Sequence, residues 1–158
     1  MSGDVIELLL RGEEQTLRLG LALGRVLGPG AVVLLRGGLG AGKTTLARGL
    51  ARGLGVGDDY NVVSPTFTLL NVYPGPTPFF HADLYRLDLG GALDLGLLEE
   101  SAEGVLAVEW AEVMDGRWPE TAVDVWLTGE AGHERQARIS GPAAFLDGLR
   151  GLLNIQAD

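Results

Sequence analysis

Cysteine is absent from this chain of 158 residues, which excludes disulfide bonds and thiolate metal sites. No apolar run approaches the roughly 18 residues of a membrane-spanning helix. The first residues also lack the basic and long apolar segments of a secretory signal. With 46% apolar and 21% charged residues, the chain is large enough to bury its own core. We therefore expect one soluble domain over residues 1–158, located in the cytoplasm.

Positive charge is scarce, because 12 lysine and arginine residues face 21 acidic ones and give a formal net charge of −9. A field of this sign repels a polyanion, so we do not expect the chain to bind nucleic acid by itself. The single lysine is Lys43, and every other basic position carries arginine. The retention of lysine at this position indicates a specific role.

That lysine lies in a phosphate-binding loop. Residues 37–44 match G-x-x-x-x-G-K-[ST] in full, between an apolar run at 31–35 and a predicted helix at 43–54. The order of strand, glycine loop and helix is the one that this motif requires. Its backbone N–H groups would cradle phosphates, Lys43 would reach the β- and γ-phosphates, and the Thr44 hydroxyl would bind Mg²⁺. Thr45 is expected to touch the α-phosphate.

The remaining pattern predicts an α/β fold of the P-loop NTPase kind, with a mixed, largely parallel central sheet flanked by helices and carrying antiparallel hairpins. Helices are expected at residues 13–27, 92–100 and 142–153. Strands are expected at residues 5–10, 67–73, 79–84, 105–108, 122–127 and 135–139.

Two acids follow apolar strands and are candidates for the Mg²⁺ site. Glu109 ends the run at 105–108, and Asp83 ends the run at 79–82. Either carboxylate could hold the metal directly or through its water, and the pattern does not choose between them. Ser64-Pro65-Thr66 is a candidate switch loop that senses the γ-phosphate. His81 has no partner histidine at ligand spacing, so we interpret it as structural.

Several classes of nucleotide-binding protein remain at this point. The N-K-x-D guanine-recognition element cannot exist, because the only lysine is in the phosphate loop, so ATP is favoured over GTP. An arginine-rich lid that would clamp a second phosphorylated substrate is not apparent. A small kinase acting on a metabolite stays as the alternative to an ATPase. A module that responds to nucleotide occupancy without turnover is a third class.

Four blocks together resemble a known family. They are residues 39–45 of the loop, Ser64-Pro65-Thr66-Phe67, residues 81–87 reading H-A-D-L-Y-R-L, and residues 108–112 reading V-E-W-A-E. In order and spacing they are similar to the signatures of the TsaE (YjeE) ATPases. The blocks at residues 81–87 and 108–112 are more specific to this family than the phosphate loop, which many families share.

The resemblance implies a cytoplasmic ATPase needed to form threonylcarbamoyladenosine at position 37 of tRNAs that read codons beginning with adenine. It implies TsaB and TsaD homologues as partners, with TsaD performing the carbamoyl transfer and ATP hydrolysis resetting the complex. The chain would then meet tRNA only through that complex and would not contact a membrane. The resemblance leaves its self-association open.

The resemblance also implies roles for individual residues. Lys43, Thr66, Asp83 and Glu109 would carry hydrolysis, Thr44 and Glu109 would hold Mg²⁺, and Trp110 would lie beside the site. Glu13, Glu112 and Arg135 would approach the nucleotide from other segments. The ATP-binding loop itself would comprise Gly37, Gly38, Leu39, Gly40, Ala41, Gly42, Lys43, Thr44 and Thr45. Two positions depart from the family pattern, since Gly38 replaces an acidic residue and Ala111 replaces proline.

Overall fold

The computed structural model describes residues 4–38, 40–129 and 133–154. Seven strands form, namely β1 (Val5–Leu10), β2 (Val32–Arg36), β3 (Leu70–Tyr73), β4 (Phe79–Asp83), β5 (Val105–Glu109), β6 (Val123–Thr128) and β7 (Arg135–Ser140). The helices are α1 (Glu13–Val26), α2 (Lys43–Gly53), α3 (Leu89–Asp94), α4 (Leu97–Glu100) and α5 (Ala143–Leu153), with a 3₁₀ helix at Ala111–Met114. Within these ranges, no helix combines the length and apolarity needed to cross a bilayer.

All seven strands lie in one sheet, in the order β1-β7-β6-β2-β5-β4-β3. The four central strands run parallel, and β2 pairs with both β5 and β6. Antiparallel strands extend the sheet at each side, through the β6–β7 hairpin with β1 and through the β3–β4 hairpin. The predicted fold class, including its antiparallel hairpins, is confirmed.

Helices cover the sheet on both faces, because the central strands are apolar on both sides. The larger core lies under α1, α2 and α5, whose buried residues meet Val33, Leu35 and Ala107. The smaller core lies under α3, α4 and the 3₁₀ helix and is reached by Leu34 and Val108. An uninterrupted apolar run such as residues 105–108 therefore contributes side chains to both cores.

Glycines bring α1 and α2 into direct backbone contact. A Cβ atom added at Gly20 would lie 2.3 Å from the carbonyl oxygen of Leu46, and one at Gly49 would lie 2.3 Å from that of Leu17. Real Cβ atoms do not approach that closely, so only glycine permits this helix spacing. The close packing fixes α2, and with it the loop that precedes α2.

Two predicted elements differ from the structure. The predicted strand at 67–73 begins only at Leu70, because residues 66–69 form a turn in which Leu69 adopts φ 70° and donates to the Pro65 carbonyl. The predicted helix at 92–100 is two short helices, α3 and α4. Gly96, with φ 59°, separates them.

Candidate functional site

The predicted phosphate loop and both candidate acids meet at the carboxyl edge of the parallel strands. Asp83 and Glu109 are register partners at the ends of β4 and β5, and Glu109 is also opposite Leu35 of β2. The loop leaves β2 one residue later. Parallel strands end at a common edge, which explains why segments distant in sequence converge here.

Glycine is required in the loop for conformational and steric reasons. Gly40 and Gly42 have φ values of 77° and 104°, a region that side chains disfavour. A Cβ atom at Gly37 would lie 2.3 Å from the carbonyl oxygen of Leu127. Gly38 has open space around it, so the departure from an acidic residue there leaves room for a side chain. Leu39 lies outside the described residues.

Lys43 is the first residue of α2 and is held inside the loop. Its Nζ donates to the carbonyl oxygen of Gly37 at 2.7 Å and lies 4.7 Å from the centre of the Trp110 ring. No carboxylate in the described ranges forms an ion pair with it. The charge is buried and positioned next to the N-terminus of α2, where an anion is also favoured by the helix dipole.

Asp83 is buried and fastens the predicted switch loop to the end of β4. Its Oδ2 accepts from Ser64 Oγ at 3.0 Å and from Thr66 Oγ1 at 3.2 Å, while its Oδ1 accepts from the backbone N–H of Tyr85 at 2.9 Å. The contacts hold the carboxylate in one orientation. Phe67, next in the loop, is 83% exposed.

Glu109 is buried at the end of β5 and is paired with a histidine. His81 Nε2 lies 2.7 Å from Glu109 Oε2, and the imidazole is fully buried. Trp110 follows with φ 60°, a left-handed conformation that is uncommon for tryptophan. That turn sends the chain into the 3₁₀ helix, where Ala111 is fully buried and its carbonyl oxygen accepts from Trp118.

One cavity of about 480 Å³ gathers most of these groups. Lys43 and Thr44 line it from the loop side, and Asp83 and Glu109 line it from the strand ends. It is also lined by Gly40, Gly42, Thr45, Ser64, Thr66, Tyr85, Trp110 and Arg135. A hydroxyl and carboxylates facing a cradle of backbone N–H groups are oxygen ligands of the kind that Mg²⁺ takes beside a phosphate.

Three further residues were expected near the nucleotide, and the structure places only some of them at the cavity. They are Arg135, Glu13 and Glu112. Arg135, at the start of β7, donates to the Gly40 carbonyl at 3.3 Å and lines the cavity. Glu13 lines a second cavity that shares Thr45 and Arg135 with the first, and it pairs with Arg48 at 3.5 Å. Glu112 is exposed on the 3₁₀ helix and lines neither cavity.

Arg36 fixes the end of β2 immediately before the loop. Its guanidinium is largely buried and binds Asp115 at 2.9 Å and Asp124 on β6. Burial alone would lower the pKa of Arg36, but the hydrogen bonds and charges of the two aspartates outweigh it and raise that pKa. The side chain therefore stays charged and ties β2, β6 and the segment after the 3₁₀ helix together.

Sequence reasoning included Ser64 only as part of the predicted switch loop, and it gave no role at the nucleotide site to Tyr85 or His81. Ser64 and Tyr85 line the cavity, and each lies within one of the four sequence blocks that resemble the family. His81 could have been found from strand alternation, because residues two apart on one strand share a face. His81 and Asp83 share a face of β4, and in the register they lie opposite Ala107 and Glu109 of β5.

Comparison with known proteins identifies the family. A family model described as "Threonylcarbamoyl adenosine biosynthesis protein TsaE" matches residues 10–137. The match covers the phosphate loop, the switch segment, both acids and Arg135. It leaves out only the first part of β1, the end of β7 and the C-terminal helix among the described elements.

Individual relatives agree with that match. A tRNA threonylcarbamoyladenosine biosynthesis protein TsaE from a Nostoc species is 45% identical over 144 residues, covering 87% of this chain and 86% of that protein. The protein of the same name from Treponema pallidum is 40% identical, covering 82% of this chain and 96% of its own. The crystal structure of YdiB from Bacillus subtilis superposes with a TM-score of 0.79 at 27% identity, covering 98% and 97% of the two chains. The chain belongs to the TsaE family of tRNA threonylcarbamoyladenosine biosynthesis proteins.

Proposed function

We propose that this chain is the ATP-hydrolysing accessory subunit of tRNA threonylcarbamoylation at adenosine 37. The observation that carries the proposal is the convergence of Lys43, Thr44, Asp83 and Glu109 on one cavity at the phosphate loop. A loop lysine, a loop hydroxyl and strand-terminal acids are the parts that P-loop NTPases use to hold a metal-nucleotide. Family membership supports a role in threonylcarbamoyladenosine biosynthesis, and the arrangement of the site supports ATP hydrolysis.

The shape of the loop supports ATP as its ligand. The close approach of Gly37 to the Leu127 carbonyl and the left-handed φ values of Gly40 and Gly42 leave backbone N–H groups uncovered by side chains. Lys43 already points into the loop, so its ammonium is available to phosphate oxygens at little rearrangement cost. We assign the residues of the loop from Gly37 to Thr45 to ATP, with Arg135 closing over Gly40.

Mg²⁺ would be held by the Thr44 hydroxyl and by Glu109, directly or through water. When bound, the ion neutralises negative charge on the phosphate oxygens. The chain itself supplies the orientation of both ligands, since Thr44 lies in the first turn of α2 and the Glu109 carboxylate is held by His81.

Asp83 is the residue best placed to orient the attacking water. Its carboxylate is fixed by Ser64, Thr66 and the Tyr85 N–H, and it faces the same cavity as Lys43. An ionised aspartate is an acceptor only, so any further partner of its oxygens must be a donor such as water. The Thr66 hydroxyl donates to Oδ2 of Asp83, and this hydrogen bond would couple the switch loop to nucleotide binding at the site.

The proposed partners are TsaB and TsaD homologues in the cytoplasm. A net charge of −9 makes direct capture of tRNA unfavourable. A division of labour in which another subunit holds the tRNA is therefore consistent with the charge of this chain.

Asp83→Asn is the sharpest test of this function. We expect the variant to bind ATP normally and to release inorganic phosphate at least about 100-fold more slowly with the partners present. The amide cannot accept a proton from the water that the carboxylate would orient, and a positioned proton acceptor contributes that much or more. Asp88→Asn is the matched control, because Asp88 is an exposed residue that caps α3 and does not line the cavity. Phosphate release is measured with a phosphate-binding fluorescent reporter.

Two outcomes would contradict the proposal. A wild-type chain that releases no phosphate in the presence of both partners is not an ATPase of this pathway. Transfer of the γ-phosphate to a small-molecule acceptor, seen with radiolabelled ATP, would establish a kinase instead.

A further inference from the structure

The buried contact between His81 and Glu109 lies just behind the cavity. His81 is in the middle of β4, and its imidazole is 0% exposed. Its Nε2 is 2.7 Å from Glu109 Oε2. Ala107 is opposite His81 in the register, and its methyl group leaves space for the ring to reach a carboxylate two residues farther along β5. His81 does not line the cavity, whereas Glu109 does.

The unpaired nitrogen of the ring identifies its tautomer. His81 Nδ1 is buried and has no hydrogen-bond partner among the residues that the structure describes. A proton on Nδ1 would be a buried donor without an acceptor, which costs free energy. The arrangement with the proton on Nε2 uses that donor toward the carboxylate and leaves Nδ1 as an acceptor only. Nε2–H therefore donates to Glu109.

Aromatic packing prevents the imidazole from turning away. The ring stacks on Phe79 with centroids 5.7 Å apart, and Phe79 stacks in turn on Tyr73 at 5.9 Å. Both neighbours are buried. Because the donor is rigid, Oε2 of Glu109 is held in one place, and within the described ranges no other hydrogen bond is made by that carboxylate. Oε1 is left without a partner in those ranges, and Glu109 lines the cavity.

We propose that His81 is a positioning residue, which holds the Glu109 carboxylate in the orientation that receives the metal-nucleotide. This inference rests on the proposed role of Glu109. A glutamate has several rotatable bonds, and its unrestrained side chain would lose conformational entropy on binding a metal. The His81 contact removes that freedom in advance. Hydrogen-bonded neighbours of metal ligands act in this way, and their loss typically reduces metal affinity or activity about 10- to 100-fold.

The test compares His81→Leu with His81→Gln in the full chain. Leucine fills the space without a donor, while glutamine places an N–H near the position of Nε2. Mn²⁺ serves as a paramagnetic probe in place of Mg²⁺, and its affinity for the complex of the chain with a non-hydrolysable ATP analogue is measured by electron paramagnetic resonance. We expect His81→Leu to weaken Mn²⁺ binding at least about 10-fold and His81→Gln to restore most of it. Binding of the analogue without metal should change little in either variant.

Leu106→Val controls for loss of stability. Leu106 is fully buried on β5 but faces the opposite core, so this variant should lower the melting temperature and keep the Mn²⁺ affinity. Equal Mn²⁺ affinity in wild type and His81→Leu would overturn the proposal, and so would a glutamine variant as weak as the leucine variant.

A second readout does not depend on nucleotide chemistry. Nitrogen-15 NMR of the two histidines should show His81 protonated at Nε2 and not at Nδ1, with an Nε2 shift that changes in Glu109→Gln. A proton on Nδ1 would contradict the proposed contact. Neither the Mn²⁺ titration nor the NMR experiment uses ATP hydrolysis. A wild-type chain that failed to release phosphate would refute the proposed function, and these two measurements would still decide the role of His81.

Discussion

At the scale of single residues, the site consists of polar side chains that hydrogen bonds within the chain hold in place. Lys43 is bound to the Gly37 carbonyl, Asp83 to two hydroxyls and a backbone N–H, and Glu109 to His81. Fixed charges in a buried site stabilise developing charge without reorganising. The residue types were readable from sequence, but the partners that fix them were not.

Lys43→Ala tests the residue on which the phosphate site depends. We expect ATP affinity to fall at least about 10-fold, because the change removes the full positive charge that we propose binds the phosphates. Isothermal titration calorimetry measures the binding. Arg25→Ala is the control, since it removes an equal charge from an exposed position on α1. Unchanged ATP affinity in Lys43→Ala would rule out the site assignment.

At the scale of secondary-structure elements, α2 carries the loop lysine, and its position depends on α1. Gly20 and Gly24 of α1 face Gly49 and Gly53 of α2 with backbone contacts that no larger residue permits. Helical periodicity predicted both helices, but it gave no indication of this close approach. Similarly, the turn at residues 66–69 escaped prediction because its residues are as compatible with a strand as those that follow it.

Gly20→Ala is expected to destabilise the chain. The added methyl group would lie 2.3 Å from the Leu46 carbonyl oxygen, and forcing extra volume into a packed interface costs roughly 1–3 kcal/mol of unfolding free energy. Gly151→Ala is the matched control, because Gly151 is also helical and a Cβ atom there meets no described residue within 4 Å.

The control should raise the unfolding free energy by up to about 1 kcal/mol through helix propensity. Urea denaturation followed by circular dichroism measures both variants. If Gly20→Ala were as stable as Gly151→Ala, the glycine contacts would not determine the α1–α2 spacing.

At the scale of the whole molecule, the net acidic charge disfavours nucleic acid as a partner, while the site favours a small anion. The net charge of −9 opposes binding of a polyanion, whereas two cations, Lys43 and Arg135, line the cavity beside the glycine loop. A local anion site within a repelling field suits a compact nucleotide and disfavours an extended nucleic acid. This contrast is consistent with a subunit that acts on tRNA only through other proteins.

The charge argument predicts the behaviour of the isolated chain toward tRNA. At about 0.15 M salt, we expect no mobility shift of tRNA by this chain alone, and retention of the chain on tRNA when TsaB and TsaD homologues are added. Electrophoretic mobility shift with labelled tRNA and labelled chain distinguishes the two cases. Tight tRNA binding by the chain alone, with a strong salt dependence, would contradict the indirect role.

The sequence by itself determined the fold class and the family, and it predicted the phosphate loop and the two strand-terminal acids, because each depends on local patterns of residue type and spacing. Tertiary structure decided which side chains meet. The parallel register brings His81 behind Glu109, the turn at Leu69 sets Thr66 against Asp83, and Glu112 is left exposed outside the cavity. These outcomes depend on contacts between residues far apart in the chain. Strand alternation places His81 and Asp83 on one face of β4, but only the packed structure sets the distances between these side chains.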